Sequence, residues 1–147
     1  MMQPSANMAK SSDENDLSQN ETQKVELSKV LIVDDEFTFR SVLEEVLSDD
    51  HEVTCAESGE DTLALLNTGL RYSVIISDIL MPQMNGIELY HRIVQLDPKQ
   101  ADRMVFMTGG TFGSDMQSFI ETVKNKKIVK PFRLKELRAL MASITSK

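Results

Sequence analysis

Four short apolar runs in this chain each end on residues able to do polar chemistry. Val30-Leu31-Ile32-Val33 leads into Asp34-Asp35, Val74-Ile75-Ile76-Ser77 into Asp78, Met104-Val105-Phe106-Met107 into Thr108, and Lys127-Ile128-Val129 into Lys130. Three carboxylates, a hydroxyl and an ammonium are the parts that stabilise charge on a transferring phosphoryl group, provided that something positive sits among the carboxylates. Two unit charges about 4 Å apart repel by roughly 4 kcal/mol at an effective dielectric near 20. Carboxylate oxygens joined by a backbone carbonyl and water suit a hard six-coordinate cation, Mg2+ first and Mn2+ as its substitute. Lys130 can pair with a carboxylate when the site is empty and with an anion when it is full. Thr108 adds a hydroxyl donor, and Gly109-Gly110 leave the approach open for a small ligand.

These groups can cooperate only if the fold brings four distant strand ends together. From Leu27 onward the hydrophobic pattern alternates between runs of strand length and stripes of helical period. Lys29–Val33 reads as the first strand, followed by a helix with the stripe Phe39, Val42, Leu43, Val46 and Leu47. Val53–Ala56 is a shorter second strand, and Ser58-Gly59-Glu60-Asp61 caps a helix through Leu66. Ser73–Ser77 is the third strand, and Gly86–Leu96 is a helix that Pro98 stops. Arg103–Met107 is the fourth strand, and Ser114-Asp115 caps a helix with Met116, Phe119, Ile120 and Val123 inward. Lys127–Val129 is the fifth strand, before a last helix lined by Leu134, Leu137, Leu140, Met141 and Ile144. Five β-α units of this kind predict an α/β fold, a doubly wound, flavodoxin-like five-stranded parallel sheet in the order 2-1-3-4-5. Ligands bind where such an order reverses, between strands one and three, and that places Asp34, Asp35 and Asp78 at the switch point. The second strand becomes an edge, which explains why no chemical group ends it.

Composition narrows the function further. A chain of 147 residues, 41% of them hydrophobic, can build one domain with a real core but not two. The net charge of -7 argues against DNA binding through a broad basic face. Cys55 is the only cysteine, which excludes an intrachain disulfide and a cysteine-based metal site, and its setting suggests a buried small hydrophobe. No run is long enough to span a membrane and no signal-peptide core is present, so a cytoplasmic protein without membrane contact is the expectation. Residues 1–27 are rich in Ser, Asn, Gln, Asp and Glu without aromatic residues, and are expected to form a disordered polar tail before a domain at 28–147. His51 and His91 fall away from the strand ends and read as surface residues.

The strings Val30-Leu31-Ile32-Val33-Asp34-Asp35-Glu36, Ser77-Asp78-Ile79-Leu80-Met81-Pro82-Gln83-Met84-Asn85-Gly86, Met107-Thr108-Gly109-Gly110 and Val129-Lys130-Pro131-Phe132 resemble the receiver domains of two-component response regulators. Each string alone is weak; four in one order and register are specific. The resemblance implies that Asp78 accepts a phosphoryl group from a sensor histidine kinase or a histidine phosphotransfer protein. It implies that Asp34, Asp35 and Asp78 hold Mg2+ with the main-chain carbonyl of Leu80. It further implies that Thr108 hydrogen-bonds the new phosphate, that Lys130 pairs with it, and that a cis bond before Pro131 aims Lys130 inward. Such a domain is a phosphoacceptor switch rather than a metabolic enzyme, although it catalyses its own phosphotransfer and dephosphorylation. By the same resemblance, Leu80 and Gly110, two positions after the aspartate and the threonine, are expected to flank the route for hydrolytic water.

One position departs from the family. Many receivers carry Tyr or Phe three residues before the strand-five lysine, where this chain has Lys127. Readout is therefore expected through the loop Thr108–Gly113, with Phe112 moving, and through a protein-interaction surface formed by the fourth helix, the fifth strand and the fifth helix. With no output domain after the last helix, a single-domain regulator acting on a protein target or on a second copy is the leading reading. The alternatives are a phosphate-independent binding module and the receiver portion of a hybrid histidine kinase. An aspartyl phosphatase would want a second acid where Leu80 stands. Taken singly, Asp34-Asp35 could cap a helix, Asp78 a turn, and Thr108-Gly109 could be an ordinary loop.

Overall fold

The computed structural model describes residues 27–110 and 113–145. The elements are β1 (Ser28–Val33), α1 (Phe37–Leu47), β2 (His51–Ala56), α2 (Gly59–Asn67), β3 (Val74–Asp78), α3 (Gly86–Leu96), α4 (Pro98–Ala101), β4 (Met104–Thr108), α5 (Ser114–Thr122), β5 (Lys127–Val129) and α6 (Leu134–Thr145). All strand pairs are parallel, in the order β2-β1-β3-β4-β5. The predicted flavodoxin-like architecture is therefore present, with β2 and β5 at the edges.

The central strands are apolar throughout because both of their faces are covered. Along β1, Leu31 and Val33 point into the core under α2 and α3, with Leu66, Leu89 and Ile93. Val30 and Ile32 point the other way, against Leu43 and Leu47 of α1 and Leu137 and Met141 of α6. Each such side chain, fully buried, contributes roughly 1.5–3 kcal/mol. The β5 edge is only three residues long and exposes Lys127 and Val129, a combination that discourages strand addition.

Several boundaries differ from the sequence reading. β2 starts at His51, not Val53, so His51 is half-buried on a strand with its Nδ1 enclosed, whereas His91 is exposed. Ser114 is the first residue of α5, not its cap; Gly113 takes the cap position in extended geometry. Pro98 does more than stop α3: Asp97 Oδ1 accepts the Lys99 N–H at 3.1 Å, and Pro98 opens the short helix α4. A proline suits that first position because its missing N–H would be unsatisfied there anyway. Cys55 is half-buried rather than buried, and burial followed by the neighbouring Glu44 carboxylate pushes its thiol up to about 11, so it stays protonated and unreactive. The tail, Phe112 and the last two residues lie outside the described residues. Among the described residues, no helix is long and apolar enough to cross a membrane.

Helix α5 is the least embedded helix. None of its residues is fully buried, and Phe119 anchors it edge-on against Tyr90 of α3 and Phe106 of β4, each with ring centroids 5.5 Å away. Such edge-to-face pairs are worth about 0.5–1.5 kcal/mol beyond area burial.

Candidate functional site

Register alone sets the carboxyl ends of four strands side by side. Val33 pairs with Ser77, Asp78 with Met107, and Thr108 with Val129, so Asp34, Asp78, Thr108 and Lys130 line one rim. The Asp34 N–H continues the sheet by donating to the Ala56 carbonyl at 3.2 Å, which fixes where the acidic pair leaves the strand. One carboxylate oxygen from each of Asp34, Asp35 and Asp78 lies within 4.8 Å of the others. Asp34 is buried, Asp35 is exposed, and Asp78 is intermediate, so the cluster opens to solvent on one side.

Asp34 is held from three directions. Its Oδ1 accepts the Glu36 N–H at 2.9 Å, its carbonyl accepts Arg40 Nη1 at 2.8 Å, and its Oδ2 faces Lys130 Nζ at 3.2 Å. The cap position of α1 belongs to Glu36, so Asp34 is no helix cap. Lys130 Nζ also lies 3.4 Å from Asp78 Oδ2 and bridges the two carboxylates. Burial is the largest influence on Asp78 and raises its pKa, Lys130 opposes the rise, and Asp34 adds to it. A carboxylate whose charged form is disfavoured by its surroundings gains most from a cation.

The Lys130 ammonium is aimed by its surroundings. The Lys130-Pro131 bond is cis, and the Lys130 N–H donates to the Thr108 carbonyl at 2.6 Å, tying β5 to β4 at the rim. Gly109 permits this approach, since a Cβ there would come within 3.2 Å of Lys130 Cβ and 3.3 Å of its carbonyl. Thr108 is buried at the end of β4, and no hydrogen bond of its hydroxyl is present among the described residues. Leu80, 46% exposed, lines the same cleft of about 450 Å3 with Glu36, Phe39, Gly109 and Gly110.

Behind Asp78 the chain turns sharply. The Gly86 N–H donates to the Ile79 carbonyl at 2.8 Å, and Asn85 and Glu88 form a capping box that starts α3 at once. A Cβ on Gly86 would stand 2.5 Å from the Asp78 carbonyl oxygen and 2.9 Å from Ile79 Cα, both backbone atoms. Gly86→Ala is therefore expected to lower stability by about 1–3 kcal/mol and to displace Asp78. Urea denaturation measures the first effect and the amide shifts of residues 78–80 the second; an unchanged midpoint contradicts the clash.

By period alone Phe39 belongs to the core stripe of α1, and the sequence carries no signal for Arg40. In the structure Lys130 Nζ lies 4.2 Å from the Phe39 ring centroid, and Arg40 holds the Asp34 carbonyl. Neither contact has a local signal, because each depends on a side-chain direction set by the assembled sheet. Lys127, at the departing position, donates from Nζ to the Val123 carbonyl at 2.9 Å, closing the C-terminal end of α5.

The family description "Response regulator receiver domain" matches residues 30–142. The chain is 32% identical over 132 residues to "Histidine kinase P4" of Formosa agariphila, covering 90% of this chain and 10% of that protein. It is 30% identical over 119 residues to the "Chemotaxis protein CheY homolog" of Campylobacter jejuni, covering 79% of this chain and 91% of the relative. A putative response regulator from Chloroflexus aurantiacus superposes with a TM-score of 0.70 at 30% identity, over 83% of this chain and all of the other. With the family match spanning most of its length and the sheet order and acidic rim in place, this chain belongs to the response regulator receiver domain family.

Proposed function

We propose that this receiver accepts a phosphoryl group on Asp78 from a phosphohistidine of a sensor kinase or a histidine phosphotransfer protein. The observation that carries the reading is the Lys130 ammonium set between Asp34 and Asp78, 3.2 and 3.4 Å from their oxygens, at the mouth of an open cleft. A carboxylate oxygen of Asp78 attacks phosphorus, the new O–P bond forms as the donor N–P bond breaks, and the imidazole leaves with the bonding pair. Lys130 follows the charge onto the phosphoryl oxygens, and the Thr108 hydroxyl supplies a further donor.

The donor set fits a hard divalent cation: three carboxylates converge, and the cluster already draws in an ammonium. Asp34, Asp35, Asp78 and the main-chain carbonyl of Leu80 would hold Mg2+, or Mn2+ in its place. When bound, the ion neutralises charge that develops on the phosphoryl oxygens. Phosphorylation then changes the surface of α5, β5 and α6, because α5 is the least embedded helix and adjoins the Thr108 loop. The chemistry is the same in a stand-alone regulator and in a receiver carried by a histidine kinase, and the target is a protein, not DNA or a membrane. Residues 28–147 make up the receiver, which works on the cytoplasmic side, where ATP-fed kinases supply phosphohistidine.

Incubation with 32P-labelled acetyl phosphate and Mg2+ tests the reading. Label should enter the chain, vanish on treatment with hydroxylamine as an acyl phosphate does, and fail to enter in EDTA. Stable label, or label indifferent to EDTA, overturns it.

A further inference from the structure

We infer that Phe39 is a positioning residue for Lys130: its ring face holds the ammonium against Asp34 and Asp78, and so sets both cation affinity and the rate of phosphoryl acceptance. This rests on the proposed phosphoryl chemistry for its second half only. An ammonium has three donors. Two faces of Lys130 Nζ are taken by Asp34 Oδ2 and Asp78 Oδ2, and the Phe39 ring covers a third at 4.2 Å from its centroid. The ring is braced, because Phe132 packs against it edge-on at 5.9 Å and 75°, and from α1 it leans, half-buried, on the core that α1 and α6 cover. Phe39 therefore joins the core to the cleft, which it also lines.

A cation over a ring face is attracted by the ring quadrupole, and more strongly where water is excluded. Lys130 is 23% exposed, so water still reaches the ammonium and the contact is of the modest, partly solvated kind. The held ammonium pairs with two of the three carboxylates that would hold a divalent ion. Loosening it removes a competitor for the cation, but it also removes a charge from the place where phosphoryl oxygens arrive. The two consequences have opposite signs, and simple damage to the fold cannot produce that.

Phe39→Met keeps volume without a π face, and Phe39→Tyr keeps the π face. In the metal-free wild-type chain the Lys130 ε-methylene protons should resonate upfield of the other lysines through the ring current. They should return to ordinary positions in Phe39→Met but not in Phe39→Tyr. Mg2+ titration should show binding tightened about two- to five-fold in Phe39→Met, while acetyl phosphate labels it more slowly by a similar factor. Phe39→Tyr should match the wild type in both. Lysine signals unmoved in Phe39→Met, or Mg2+ binding and labelling weakened together with a lowered melting temperature, would overturn the inference. If the wild type itself takes no label, the phosphoryl reading fails. The ring-current shifts and Mg2+ titration still decide whether Phe39 holds Lys130.

Discussion

Asp78→Asn should abolish labelling by any phosphodonor and, at the same time, make the protein more stable. Loss of labelling follows because an amide oxygen cannot form the acyl phosphate. The gain in stability comes from the site's electrostatics: burial and the nearby Asp34 raise the Asp78 pKa, so ionising it in the fold costs free energy that Lys130 offsets only in part. A carboxyl whose folded pKa exceeds its unfolded value near 3.9 binds protons more tightly in the native state. Its favourable effect is present at low pH and is lost as pH rises from the unfolded through the folded pKa. Above its folded pKa the wild type carries this penalty, and Asn removes it. The variant should be the more stable at pH 7, and a thermal melt reads the gain because each 1 kcal/mol moves the midpoint by roughly 4 °C in a domain of this size. Below pH 4 the difference should close. Thermal melts of both proteins across that range check the sign, and a variant less stable at pH 7 contradicts it. Added Mg2+ should stabilise the wild type more than the variant, because only the wild type keeps the third carboxylate.

Lys130→Met should have the second largest effect, and its direction depends on the cation. Without the ammonium, Asp34 stays buried at 1% exposure beside Asp78 with no positive partner of comparable reach, since Arg40 bonds the Asp34 carbonyl rather than its carboxylate. Breaking a fully buried pair costs about 3–5 kcal/mol. Lys130 is partly exposed, so a loss of about 1–3 kcal/mol in EDTA is expected. Mg2+ should bind roughly ten-fold more tightly, through loss of a competing like charge, and should restore most of the lost stability. Labelling should nevertheless slow by about 10²-fold, as when one donor to a developing oxyanion is removed. Calorimetric Mg2+ titration and labelling rates read the two effects separately. Weaker Mg2+ binding would show that Lys130 supports the cation rather than competing with it.

The fold and most of the site were legible because both follow from short-range signals. Val30–Val33, Val74–Ser77 and Met104–Met107 are largely apolar on both faces, as in a covered parallel sheet, and their spacing agrees with the flavodoxin-like order 2-1-3-4-5. Once that order is known, Asp34, Asp78, Thr108 and Lys130 must share a rim. What stayed hidden depends on side-chain direction and backbone geometry in the folded chain. Phe39 belongs to the helical stripe by period, and only the path of Lys130 over the finished sheet turns its ring toward an ammonium. Arg40 likewise finds the Asp34 carbonyl across the first turn of α1. Ser114 had the residue type of a cap, but Gly113 supplied the extended geometry one position earlier. Lys127 could be noticed only as a missing aromatic; its bond to the Val123 carbonyl shows that it closes α5.

Borohydride reduction after phosphorylation tests the central claim most directly. An acyl phosphate of aspartate is reduced to homoserine, so mass spectrometry of digests reads the acceptor by position. After acetyl phosphate, Mg2+ and borohydride, conversion at Asp78 alone is predicted. Conversion at Asp34 or Asp35, or intact aspartate throughout a labelled chain, would contradict the account.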